Sequence, residues 1–273
     1  MKKYMIEVFF RTAIARGYVR VVAQFKRDLN WLIASILGAF LTMATFIYLY
    51  RAINAPQEFS GVVLLGGFMA PYWLNVLWSV ATQLYWEKQM GNLQIIILSP
   101  APLSAFLLGL TIGGLIHTTL TSLFVLFFGI VVFKISFAFV NVGVAFLVFI
   151  VSLYALYAVG MIFSSLFLFY GRDLWRIGNI IQEPISVATG SYFPIRYLGV
   201  TGASIVSIIP LALGLDALRQ LLIPSFTHWF LPWKIETLIL FCLGTIFMFI
   251  AMRMLNYIEL LAKKEGRLTL KWQ

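Results

Sequence analysis

Charge is what this chain lacks most. Asp, Glu, Lys and Arg make up 11% of its 273 residues, and between Phe59 and Phe133 only Glu87 and Lys88 are charged. A water-soluble domain of this length has too little interior to hide a chain that is 62% hydrophobic with mean hydropathy +0.94, so lipid must solvate it. Cysteine is nearly missing. The one residue, Cys242, excludes an intrachain disulfide framework and sits in an apolar run, as a packing residue would. Histidine is as scarce: His117 and His228 stand in different segments with no second ligand nearby, so each reads as a packing or interface residue. No G-x-x-x-x-G-K-S/T, H-E-x-x-H or G-x-S-x-G stretch occurs, which leaves no nucleotide loop, nucleophile, base or metal for an enzyme. The long runs are apolar on every face, so the strand alternation of an outer-membrane barrel is missing too. What remains is an all-α integral membrane protein, expected not to be an enzyme and to hold no metal or cofactor of its own.

Among the charges that are present, basic residues dominate, giving a net +10. They cluster at the two chain ends and beside apolar segments, where they set topology and meet anionic membrane lipids, so no nucleic acid is expected. Residues 1–30 read as an amphipathic interfacial helix. At ~100° per residue, Phe10, Ala13, Ile14, Tyr18, Val21 and Phe25 gather on one side and Arg16, Arg20 and Arg27 on the other.

Six spans are expected within a transmembrane domain over 31–258. Span 1 is Trp31 to Tyr50. Span 2 lies within Phe59 to Trp86, with Pro71 starting or kinking it. Span 3 runs from about Leu103 to Val132, and span 4 from about Phe139 to Phe169. Span 5, about Ile177 to Phe193, differs from the rest: Asn179, Glu183, Ser186, Thr189 and Gly190 recur at helical spacing as a polar stripe. Two apolar segments between Ile195 and Ile223, each too short to cross, are expected as re-entrant or interfacial outer helices. Span 6 runs from about Ile235 to Leu255, anchored by Trp229 and Trp233, and a basic tail covers 259–273. Fifteen of the 20 Lys and Arg then fall on the side of the termini. That puts both termini and the loop at 87–102 in the cytoplasm.

The loop at 87–102 reads EKQMGNLQIIILSPAP. Glu87 and Lys88 lead through Gly91 into a short apolar helix, Leu93 to Leu98, which ends at Ser-Pro-Ala-Pro. Ser99 is placed to cap the next helix with Pro100 at its first position. A short apolar helix across the mouth of a hairpin suits a contact with something outside the membrane. A transporter fits this pattern, and the energy source is open between two readings. A gradient-driven carrier would need an ionisable group near midplane, for which only Glu183 qualifies. An ATP-driven one would need a partner, since no cytoplasmic segment is long enough to fold a nucleotide-binding domain.

The layout resembles the membrane subunits of ABC-2 type transporters, the permeases of drug, lipid and polysaccharide export systems. The basic helix before span 1 is similar to their elbow helix. Glu87, Gly91, Leu93, Leu98, Ser99 and Pro100 match their loop motif after span 2. Tyr192, Phe193 and Pro194, then Pro210, Asp216 and Arg219, resemble their pattern at the outer end of span 5, although Gly190 and Ser191 sit closer to Pro194 than is usual in the family. The resemblance implies that 87–102 is a coupling helix docking on an ATPase subunit, with Glu87 and Lys88 making charge contacts there. It implies two ATPase copies holding ATP and Mg2+, and a second permease copy, as a homodimer. Spans 1, 2 and 5 would line the route, and the helices over 195–223 would form an outer gate. Glu183 is either a pathway residue or a structural partner of Arg172 or Arg176, and Asp216 with Arg219 is expected as a local i,i+3 ion pair. The substrate class favoured is amphipathic or hydrophobic, a lipid, drug or lipid-linked glycan moved outward; a polysaccharide-type exporter is the alternative.

Overall fold

Long apolar runs with few Gly or Pro breaks leave the backbone one way to satisfy its own hydrogen bonds in lipid, and the chain takes it. The computed structural model describes residues 2–27, 29–138, 141–224 and 226–265, and among these there is no strand. The helices are α1 (Lys2–Arg27), α2 (Leu29–Ala52), α3 (Glu58–Asn75), a π-helical stretch (Val76–Ala81), α4 (Gln83–Gln89) and α5 (Leu93–Leu98). They continue as α6 (Leu103–Phe133), α7 (Val142–Tyr170), α8 (Arg172–Ala188), a 3-10 turn (Ile195–Leu198), α9 (Gly199–Val206), α10 (Pro210–Leu222) and α11 (Trp233–Glu265). The helix ends fall within about a turn and a half of those expected, except that α11 runs ten residues past Leu255. The basic tail past 265 lies outside the described residues.

Among the described residues, five helical stretches are long and apolar enough to cross a membrane: Leu32–Ala52, Glu58–Gln89, Leu103–Phe133, Val142–Tyr170 and Trp233–Leu261. The segment read as span 5 is not one of them. α8 has 17 residues and stops at Ala188, because Thr189 and Gly190 turn the chain, with Gly190 at φ +82°. Its polar face lowers its apolar content below that of its neighbours. The stretch Glu58–Gln89 runs through the middle of the bundle, with 72% of its apolar window buried against 17% for α2, which faces outward. Trp73, Tyr72, Met69 and Val76 on it form the main core with Leu153 and Leu156 of α7 and Leu211 and Leu215 of α10. Pro71 neither starts nor ends that helix; the irregularity comes five residues later, as the π stretch.

α1 departs from the expected interfacial arrangement. Phe10, Ile14 and Tyr18 are exposed as anticipated, but Ala13 is 2% exposed and packs on α6. A Cβ added at Gly109 would lie 2.4 Å from the Ala13 carbonyl oxygen, and one at Gly113 would lie 2.8 Å from that of Gly17. Four small residues, Ala13, Gly17, Gly109 and Gly113, thus let two backbones touch. The basic face consequently turns toward protein: the Arg16 guanidinium stands 4.6 Å from the Phe106 ring centre, and Arg20 donates to Ser79 Oγ at 2.9 Å. Headgroups are not the whole of what these arginines meet.

Backbone also approaches backbone tightly at Gly66 of α3, where an added Cβ would fall 1.7 Å from the Ser191 carbonyl oxygen. Gly66→Ala is expected to lower the melting temperature of the purified protein, with a cost of about 1–3 kcal/mol or more as the chains separate. Gly38→Ala, where an added Cβ meets nothing within 4 Å, is expected to leave it unchanged. Equal melting temperatures for the two variants in one detergent would contradict the packing described.

Candidate functional site

Three places carry polar chemistry or exposed apolar surface beyond what packing needs. The first is the α4–α5 end of the bundle. Gly91, at φ +78°, ends α4, and the N–H groups of Gly91 and Asn92 return to the carbonyls of Lys88 and Glu87. α5 then lies with Leu93, Ile96 and Ile97 buried among Leu103, Phe106, Leu168 and Leu255, while Ile95 is 70% and Leu98 83% exposed. Glu87 does not face outward as expected. It is 9% exposed and accepts a hydrogen bond from Gln83 Nε2 at 3.0 Å, so it braces α4 rather than offering a surface charge. Lys88 is half-buried.

Ser99 corrects a second expectation. It closes α5 instead of capping the next helix, its hydroxyl donating to the Ile96 carbonyl at 2.7 Å. Each proline forces the residue before it into an extended conformation, so α6 cannot begin until Pro102 is passed, and Pro100 lies outside it. The α6 N-terminus is met from a distance: the Leu103 N–H donates to Glu259 Oε2 of α11 at 3.3 Å, an anion at the positive end of a helix. Nothing local in the sequence marked Glu259.

The second place is the opposite end, where α8 gives way to α10. Arg219 is fully buried, and its guanidinium donates to backbone carbonyls of Val62 at 3.0 Å, Gly190 at 2.5 Å, Ser191 at 3.4 Å and Phe193 at 3.4 Å. The expected ion pair with Asp216 is not made. Asp216 instead accepts from the Phe230 N–H at 2.7 Å, while the Arg219 guanidinium is taken up by the carbonyls of α3 and of the turn over Gly190 to Phe193. Gln220 continues this second network, donating to the Leu231 carbonyl at 2.7 Å and to Glu236 Oε2 at 3.0 Å. Pro210 occupies the first turn of α10, Pro194 is buried, and Tyr192 stacks on Phe46 at 3.8 Å between ring centres while its carbonyl accepts from the Tyr50 hydroxyl. Of the residues read as an outer gate, Phe193 bonds Arg219 through its carbonyl, whereas Asp216 faces the loop at Phe230 and Pro210 stands nine residues from Arg219 at the start of α10.

The third place is a partly open cavity of about 650 Å³. Its walls come from α2, the α3–π stretch and α8, and also from α1 and α6, which were not expected there. α2 and α3 contribute small and apolar positions, among them Gly38, Met43 and Gly67. Arg20 and Gln24 of α1, Ser79 of the π stretch and His117 of α6 supply polar groups. The polar stripe of α8 divides. Glu183 and Ser186 line the cavity, Asn179 is exposed and bonds the Trp175 carbonyl, and Thr189 and Gly190 are buried in the Arg219 turn. Glu183 accepts from Gln182 Nε2 at 3.0 Å rather than pairing with Arg176; the side chain of Arg172 lies outside the described residues. Gln182 also accepts from Trp78 Nε1, tying the π stretch to α8. Among the described residues no group of three or more His, Cys, Asp or Glu is placed to hold a metal ion.

These features define a multi-pass, all-helical membrane protein with an internal cavity. No family model and no curated protein matches the chain.

Replacing Arg219 leaves several buried carbonyls without a donor, at about 1–3 kcal/mol each. Arg219→Met is therefore expected to cost roughly 3 kcal/mol or more in thermal unfolding, and Arg219→Lys to recover only part of it because an ammonium lacks the fork. Exposed Arg196→Ala, measured alongside, should stay within about 0.5 kcal/mol of the parent.

Proposed function

We propose that this chain is the membrane half of an ABC-2 type exporter, moving an amphipathic or hydrophobic substrate outward and driven by separate ATP-hydrolysing subunits. The observation that carries the reading is α5. A six-residue helix anchored by Leu93, Ile96 and Ile97 holds Ile95 and Leu98 out at the bundle end, where water would oppose them unless a partner covers them. Its rigid seat lets a push on the knob reach α6, α7 and α11 through the shared apolar cluster.

In this reading the contact is apolar. Leu98 and Ile95 dock in a cleft of the ATPase, Met90 extends the patch, and Glu87 with Gly91 shapes the turn that presents them. Two ATPase copies hold the ATP and Mg2+, α5 and both termini are cytoplasmic, and the membrane is a prokaryotic plasma membrane. α8 supports pairing with a second copy: its exposed Asn179, Ile180 and Glu183 make a poor lipid face and a good wall for a route shared by two chains. It then completes the sixth crossing, and the turn around Arg219 with α9 and α10 covers the route on the outer side.

Leu98→Arg, at a position 83% exposed, is expected to leave the melting temperature unchanged. It should weaken ATPase capture in detergent by about thirtyfold, as loss of an interface hot spot does. Transport by proteoliposomes holding both subunits should fall with it and survive Glu183→Gln. Transport by the purified chain without any ATPase, abolished by Glu183→Gln, would establish the gradient-driven carrier instead.

A further inference from the structure

The cavity has two unlike ends, and their depth in the bundle matters. Glu58–Gln89 covers 32 residues, or about 48 Å of helix against a hydrocarbon layer of about 30 Å. Ser79 lies ten residues before Gln89, which places it roughly one helical turn inside the apolar boundary at the α5 end. There Arg20 donates to Ser79 Oγ, and α1 is held against α6 tightly enough, through Gly17 and Gly113, to keep that arginine at the cavity rather than in the headgroups. Beside it Gln24 Oε1 is buried with no donor among the described residues, although a buried amide oxygen ordinarily has one. Gly67 stands twelve residues up the same helix from Ser79, about 18 Å farther and past midplane, where it packs on Met43. Between the two levels Gly38, Ala39 and Ala70 line the wall, and the hydroxyls of Thr118, Thr121 and Ser186 there are spent on carbonyls of their own helices.

We propose that this cavity binds one membrane amphiphile, head at Arg20 and tail toward Met43, whose head joins a phosphate to a hydroxyl or ammonium donor. The phosphate answers the guanidinium, the chemistry for which arginine is best suited. The donor answers Gln24 Oε1, with Glu183 on the opposite wall serving an ammonium where the head carries one. A lipid of the leaflet on the α5 side already stands in this orientation, so it enters sideways without turning over. The inference rests on reading the cavity as the substrate's place, and it names the substrate class. It does not depend on the ATPase, so binding can be tested without transport.

The test exchanges the purified full chain against mixed micelles of equimolar phosphatidylglycerol, phosphatidylethanolamine and phosphatidylcholine, and reads bound lipid by native mass spectrometry. Phosphatidylglycerol or phosphatidylethanolamine is expected to outcompete phosphatidylcholine, whose head has no donor, by about tenfold. Arg20→Gln should erase that preference. Gly38→Phe, which enters open space from α2, should eject lipid of every head type while the protein stays folded. It keeps the test decisive if Arg20→Gln does not fold. Binding that follows the micelle composition, a preference untouched by Arg20→Gln, or lipid retained in full by Gly38→Phe overturns the proposal. So does inorganic phosphate displacing the lipid at millimolar concentration, which would mark a simple anion site.

Discussion

Irregular backbone surrounded by lipid and apolar side chains has no water to bond, so every carbonyl released by a turn must find its donor inside the protein. The chain meets that constraint at one residue more than at any other. Arg219 collects carbonyls from α3 and from the turn over Gly190 to Phe193, groups that a single fork of five N–H donors is shaped to hold. The contact is backbone to side chain, so it fixes the path of the chain rather than pairing two charges. Gly66 completes it by letting α3 approach that turn closely enough for Val62 to share the same guanidinium.

From that fixed point the functional features follow outward. The turn sets where α8 stops, and α8 together with the π stretch closes one side of the cavity through the Trp78 and Gln182 contact. The π stretch interrupts a helix that is otherwise buried along most of its length, and such insertions gather where a helix must aim side chains off its regular face. Here it turns Trp78 and Ser79 toward the cavity. At the other end α5 rests on α6, α7 and α11, with Glu259 reaching from α11 to the first N–H of α6. The two ends are thus joined by continuous helices.

The expectations that held and those that changed divide along physical lines. A short helix over Leu93 to Leu98 was legible from the apolar run and the turn residues around it, but which face is buried, Leu93, Ile96 and Ile97, and which is presented, Ile95 and Leu98, was not. Ser99 was misjudged because two prolines in alternate positions restrict their predecessors, an effect stronger than any capping preference. Glu87 looked like a surface charge only because it is charged; its neighbour Gln83 draws it inward. Asp216 and Arg219 stand three residues apart, which suggested a pair, but each found backbone groups from distant segments that hold it better. Arg20 carried no sign of a cavity role, since its place depends on the glycines of α6.

Sequence alone determined that this is a helical membrane protein, where most of its long helices lie, and that a short apolar helix stands between two of them at a bundle end. Each of those rests on local periodicity, hydropathy and turn chemistry. Which arginine faces a cavity, which caps a turn and which polar residues of α8 look into the interior were decided only when the helices packed. Those assignments depend on contacts between residues many tens of positions apart, and no spacing along the chain encodes them.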